Sequence, residues 1–244
     1  MSTIEQYIQE IERLIAAVKE TQTEAIEQAA VLCADALCRD GFLFTFGTGH
    51  SHMLAEEIFY RAGGLARVCP ILEDALMLHR GAAASSMYER APGLAALLLD
   101  AVDTVRYGGV LFIFSNSGCN TVAVEMAELA RQRGLKTVCI TNITHSTRMT
   151  SRHPRGLKLK DVCDVVIDNC GCYGDAAISF GEHASGATST VIGSMIMQAI
   201  VCRTVELCLS RGVTPELFSS ANTEGGDQKN AAHLEKDKPL VKAL

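Results

Sequence analysis

Isoleucines and a valine recur at Ile4, Ile8, Ile11, Ile15 and Val18, at steps of four, three, four and three. This is the narrow stripe of a helix that packs on another helix, within the chain or on a second copy of it. Thr3 and Gln6 are spaced as a capping box at its start. A second helix follows from about Thr23, with Ile26, Ala30, Cys33 and Leu37 on one face, and Asp40-Gly41 ends it. The pattern then changes to short, continuously apolar runs. Strands are expected at Phe42–Phe46, Leu65–Leu72, Val110–Phe114, Lys136–Thr141 and Val162–Ile167. Between and after them the spacing predicts helices over His52–Ala62, Leu94–Val102, Asn120–Arg133 and Ala187–Ser210, with Glu73–Tyr88 partly helical. Apolar strands alternating with helices imply an α/β fold. We expect a three-layer α-β-α sandwich on a mainly parallel five-stranded sheet, with an N-terminal helical pair. One domain over 1–220 and a polar, mobile C-terminal tail over 221–244 complete the expected organisation.

Composition narrows the function. Hydrophobic residues make up 48% and charged residues 20% of 244, which is globular. A net charge of −6, no Trp and 5% aromatics speak against nucleic acid as partner. The acidic amphipathic start lacks the basic and apolar regions of a signal peptide, and the most apolar stretch, Val191–Cys202, is short and mixed for a membrane span. Ten cysteines, among them Cys33, Cys139, Cys202 and Cys208 inside apolar runs, suit a reducing, cytoplasmic compartment better than a disulfide framework. Cys163, Cys170 and Cys172 lack a second clear pair, so no metal is expected.

Two turns carry chemistry. Gly47-Thr48-Gly49-His50-Ser51 follows the first expected strand, and Ser115-Asn116-Ser117-Gly118 follows the third; each opens a helix. A strand, a Gly/Ser turn and a helix present backbone N–H groups at the positive end of the helix, where phosphate binds. Serine hydroxyls add donors without a buried charge. Asn120 is placed to cap the second of these helices. Neither turn has the Lys of a P-loop, and His52 stands where a dinucleotide fingerprint needs Gly.

At these residues the chain resembles the SIS domain, the fold of phosphosugar isomerases and phosphosugar-binding regulators. The first turn looks like that family's Gly-x-Gly-x-Ser turn and the second like its Ser-x-Ser-Gly loop, with similarity over roughly Glu24–Leu209. The resemblance implies a phosphorylated sugar held by Gly49, Ser51, Ser115, Asn116, Ser117, Gly118 and Asn120. It also implies a homodimer or homotetramer with sites near subunit boundaries. Ala25–His52 is similar to the start of phosphoheptose isomerases, but Glu57 and Arg61 stand where those enzymes carry His and Glu, and their last-helix His pattern is absent. A looser similarity to arabinose-phosphate isomerases sets Glu73 and His79 at comparable places, with Arg80 replacing a Gly.

Aldose–ketose isomerisation needs a base beside a carbonyl and a group that handles the oxygen protons. Glu73, His79 and His183 are the expected catalytic candidates, since each follows or precedes an element end where such sheets bind ligands. Glu56 and Glu57 are expected mainly as surface or salt-bridge residues, and Arg148, Arg152, Arg155, Lys158 and Lys160 as a solvated face. The expected function is a sugar-phosphate isomerase needing no organic cofactor. A non-catalytic phosphosugar sensor and a phosphosugar etherase-type lyase are its rivals.

Overall fold

The computed structural model describes residues 1–104 and 108–244. Five strands form one all-parallel sheet in the order β2-β1-β3-β4-β5: β1 (Phe42–Gly47), β2 (Val68–Ile71), β3 (Gly109–Phe114), β4 (Lys136–Thr141) and β5 (Val165–Asp168). Side chains alternate between two faces that are both buried, which is why the runs read as continuously apolar. Leu43, Val110, Phe112, Val138 and Ile167 point to one side. Phe42, Phe44, Phe46, Leu111 and Ile113 point to the other.

The first face is covered by α1 (Thr3–Thr21), α2 (Thr23–Leu37), α3 (His52–Glu57) and the long α9 (Ser189–Ser210). The second is covered by α5 (Leu94–Asp100), α6 (Thr121–Gln132) and α8 (Leu159–Val162). α4 (Ala82–Tyr88) follows two 3₁₀ turns at the carboxyl end of β2, and α7 (Ile143–Arg148) follows β4. Helix α9 has the length and apolar composition of a membrane span. Here it is a core helix, burying Ile192, Ile196, Met197, Ile200 and Val201.

Several expectations are corrected. Ser2 with Glu5, one position earlier than expected, makes the capping box of α1. The helix turns Leu14 and Val18 into the core and leaves Ile4, Ile8 and Ile15 exposed, at 72%, 51% and 40%. The expected Leu65–Leu72 strand begins only at Val68, because Leu65 and Ala66 pair instead with the segment around Leu217. α3 stops at Glu57 where the chain bends to place Gly63 and Gly64 against the backbone of Phe218. Before α9 lies an antiparallel hairpin, β6 (Ala176–Phe180) and β7 (His183–Ala187), held to α1 by the Tyr7 hydroxyl donating to Ala187 O at 2.6 Å.

The segment expected as a mobile tail is folded. α10 (Gly226–Asp237) docks through Asn230, which exchanges two 2.8 Å hydrogen bonds with the backbone of Ser219. Asp237 pairs with Arg67 at 2.7 Å, and Val241 is buried in the second core. The residues that fasten it, Asn230 and Asp237, are themselves polar, so the sequence reads as solvent-facing.

Candidate functional site

Strand order places the site before any side chain is considered. With β2-β1-β3-β4-β5, the chain leaves β1 in one direction to β2 and in the other to β3, and ligands of such sheets bind at the carboxyl ends flanking that switch point. Register brings the two Gly/Ser turns level. Gly47 pairs with Phe114, and Phe114 with Ile140, so Thr48, Ser115 and Thr141 stand on one rim. Thr141 in turn pairs with Asp168, setting Asn169 beside them.

A cavity of about 220 Å³ opens there. Its phosphate-facing candidates are Ser51 from the first turn and Ser115 and Asn116 from the second; His50, Asn169 and Asp175 also line it. Leu54 and Ile140 supply apolar wall, and Ser189 and Thr190 bring in the N-terminus of α9. The donors are uncommitted. The hydroxyls of Ser51 and Thr190 and the Asn116 side-chain NH₂ make no hydrogen bond to another described residue. The Ser115 hydroxyl oxygen accepts from Gly118 N–H at 3.1 Å, which leaves its proton available to donate. Asn116 Oδ1 accepts from Asn169 Nδ2 at 2.8 Å, orienting the amide so that its own NH₂ is presented.

The glycines are required by this geometry. Gly49 and Gly118 adopt φ of +56° and +60°, a region that L side chains rarely occupy. A Cβ on Gly118 would also stand 2.9 Å from Thr141 Oγ1.

Ser117, Gly118 and Asn120 do not line the cavity. The Ser117 hydroxyl accepts from Cys119 N–H at 3.4 Å. Asn120 occupies the N-cap position of α6 without a capping bond; its Oδ1 instead accepts from Arg152 at 2.8 Å. The catalytic candidates lie elsewhere. Glu73 borders a separate cavity beside the edge strand β2, and its carboxylate caps the next 3₁₀ turn through Ala75 N–H at 3.2 Å. His79 is exposed on the following turn, and His183 is exposed at the start of β7. Glu57 accepts from Gln198 of α9 at 3.1 Å and pairs with Arg61. The basic cluster is engaged with the protein: Lys158 Nζ donates to Ser146 O at 2.6 Å, Arg155 pairs with Glu128, and Arg148 sits over the Tyr173 ring.

Three contributors carry no sequence signal as a site. Asp175, with φ of +68°, folds back onto α9: its Oδ1 accepts from the N–H groups of Thr188 and Ser189 at 3.0 and 2.8 Å. The hydroxyls of the same two residues donate to Asp175 at 3.2 and 2.6 Å. His145 Nδ1 accepts from Gly174 N–H at 3.1 Å, which leaves the proton of its neutral form on Nε2. Burial holds this imidazole below its ordinary pKa, although the nearby Asp175 charge acts the other way. Glu89 ties the first turn to α6, accepting from Thr48 Oγ1 at 2.8 Å through its carboxylate and from Val122 N–H at 3.2 Å through its backbone carbonyl. Among the described residues, no three His, Cys, Asp or Glu side chains converge as a metal set, and all ten cysteines are free thiols.

The family model of the SIS domain matches residues 6–142, which contain both turns. The chain belongs to the SIS-domain family. A UPF0309 protein of Thermoanaerobacter pseudethanolicus is 42% identical over 245 residues, covering 98% of this chain and 99% of that protein. Solved SIS-type structures share the fold at low identity. The phosphoheptose isomerase GmhA from Neisseria gonorrhoeae superposes with a TM-score of 0.51 at 17% identity, over 84% of this chain and 96% of that one. The Vibrio vulnificus NanR protein, solved in complex with ManNAc-6P, does so at 0.50 and 16%, over 98% and 70%. Within this SIS domain the matched region ends at Asn142, so Asn169, Asp175 and the α9 wall of the cavity lie beyond it.

Proposed function

We propose that this SIS domain binds a phosphorylated sugar in the cavity between the two turns, in the cytoplasm, and interconverts its aldose and ketose forms. The observation that carries the binding is the convergence of uncommitted donors, Ser51, Ser115 and Asn116, on one cavity at the switch point of a parallel sheet. Such donors favour a phosphate dianion, and among the described residues no lysine or arginine lines the cavity to attract other acids indiscriminately. The ManNAc-6P bound by the Vibrio NanR protein and the phosphoheptose isomerase identity of the Neisseria protein agree with this reading. For the proton transfers the cavity offers His50, whose imidazole makes no hydrogen bond or ion pair with another described residue. It takes the place of Glu73, His79 and His183 as the first candidate. Titration calorimetry tests the binding: Ser51→Ala and Ser115→Ala are each expected to weaken a bound sugar phosphate by about 1.5–3 kcal/mol, the range for a hydrogen bond to a charged group. Unchanged affinity in both variants rejects this placement of the phosphate.

The proposal extends to a homodimer or homotetramer. Ile4, Ile8 and Ile15 leave an apolar stripe on α1 that no described residue covers, and a closed symmetric assembly is the usual way such a stripe is buried. Light scattering is expected to show an oligomer that Ile8→Asp with Ile15→Asp reduces to a smaller species. A monomeric native protein contradicts this.

A further inference from the structure

α4 and the residues that follow it lie beside the first turn with little packing to hold them. Over 82–92 only Ser85 is buried, while Met87 and Tyr88 are exposed. Polar contacts set the path of this segment instead. The Ser85 hydroxyl donates to Leu76 O at 2.8 Å, and Gly93 N–H donates to the carboxylate of Glu125 on α6 at 2.9 Å. Between them stands Glu89, half-buried, with one bond in each direction.

Its carboxylate takes the hydroxyl of Thr48, a buried residue followed directly by Gly49, His50 and Ser51. Among the described residues, this is the only hydrogen bond made by a side chain of residues 48–51. Its backbone carbonyl takes Val122 N–H in the first turn of α6, the helix that the Ser115–Gly118 turn leads into. The first N–H groups of a helix have no partner within it. Asn120 gives α6 no side-chain cap, since its Oδ1 accepts from Arg152, and the Glu89 carbonyl meets part of that need. A single residue thus fastens the first turn to the helix that continues the second.

Resting on the phosphosugar reading above, we propose that Glu89 is a positioning residue that sets the spacing of the two turns through Thr48. Ser51 on one turn and Ser115 and Asn116 on the other can donate to the same phosphate only while that spacing holds, because hydrogen bonds weaken steeply as distance and angle depart from the optimum. The Glu89 carboxylate does not itself line the cavity, so its effect on a ligand passes through the first turn. What Thr48 requires of it is an oxygen acceptor. The negative charge is not needed for that bond, and it has the same sign as the phosphate.

Calorimetry with inorganic phosphate and glucose 6-phosphate tests this on the native protein, on Glu89→Ala, Glu89→Gln and Thr48→Val, and on Thr48→Val combined with Glu89→Ala. The backbone bond from Val122 to residue 89 survives all of these changes. Glu89→Ala leaves the buried Thr48 hydroxyl without its acceptor and is expected to weaken both probes by about tenfold, the loss of one hydrogen bond to a charged group. Thr48→Val, of nearly the same shape, is expected to cost the same factor. The double variant should lose no more than either single one, since the two side chains form one contact. Glu89→Gln keeps the acceptor, removes the charge and is expected to bind within about threefold of the native protein or tighter. If Glu89→Ala does not fold, Thr48→Val and Glu89→Gln decide. Native affinity in Thr48→Val, a loss in Glu89→Gln as large as about tenfold, or additive losses in the double variant overturns the positioning role and leaves the phosphosugar reading standing. A native protein that binds neither probe overturns both.

Discussion

Replacing Arg67 with Ala is expected to destabilise the fold by about 3–5 kcal/mol, because it leaves the buried Asp237 carboxylate without its countercharge. The Arg67 side chain is 6% exposed and that of Asp237 1%. The guanidinium donates to Asp237 at 2.7 Å, donates to Asp40 O, and lies 3.9 Å from the centre of the Phe42 ring. It is the point where the C-terminal helix meets the amino end of the sheet. Arg67→Met together with Asp237→Leu should recover most of the loss, since a buried pair replaced by packed apolar groups is often near neutral. Urea denaturation of the three proteins checks both statements. Burial pushes the Asp237 carboxyl up, more than the Arg67 charge pulls it down. A folded-state value above the unfolded one makes its contribution fullest below the ordinary carboxylate range and lost as pH rises through the folded value. The Arg67→Ala penalty should accordingly be smaller near pH 4 than at pH 7. A single-variant loss under about 1 kcal/mol, in the ordinary range of surface substitutions, contradicts the buried-pair account.

The second large effect concerns the chemistry. On an enediol pathway, a sugar phosphate incubated with the protein in deuterated water should take up deuterium at the carbon next to its carbonyl, even where net conversion is slight. His50→Ala should slow this exchange by about 10²–10⁴, the usual worth of general acid–base catalysis, while leaving phosphate binding nearly intact. Binding without exchange for every ligand that binds would make the domain a sensor. Release of an ether-linked lactyl group in the same tubes would make it a lyase.

The fold was legible in the sequence because a buried parallel sheet leaves a strong mark. Phe42–Gly47 and Lys136–Thr141 are apolar or β-branched almost throughout, and each ends at the residue where a turn or cap begins. The two Gly/Ser turns were legible for the same reason, as contiguous segments tied to strand ends. What escaped was whatever depends on long-range neighbours. The β6–β7 hairpin is mostly Ala, Ser and Gly and has no buried residue in either strand, so it has no amphipathic signature. α10 is anchored by Asn230 and Asp237, buried polar residues that pattern reading assigns to solvent. Asp175 reaches the cavity only because its left-handed backbone turns it onto α9, more than a dozen residues later in the chain. Glu73, His79 and His183 do not line the cavity, whose lateral position is set by the β1–β3 switch point and not by any one segment.

If this cavity recognises the phosphate of a sugar phosphate, ligand-dependent thermal unfolding of the native protein will show it. A panel of sugar phosphates would be compared with their unphosphorylated parents at equal concentration. At one hundred times the dissociation constant, a ligand bound only by the folded state adds about 2.7 kcal/mol of stability, a readily visible rise in Tm. At least one sugar phosphate should produce that rise while its neutral parent produces little. Equal shifts from a sugar and its phosphate, or no shift from any phosphate in the panel, would contradict the account.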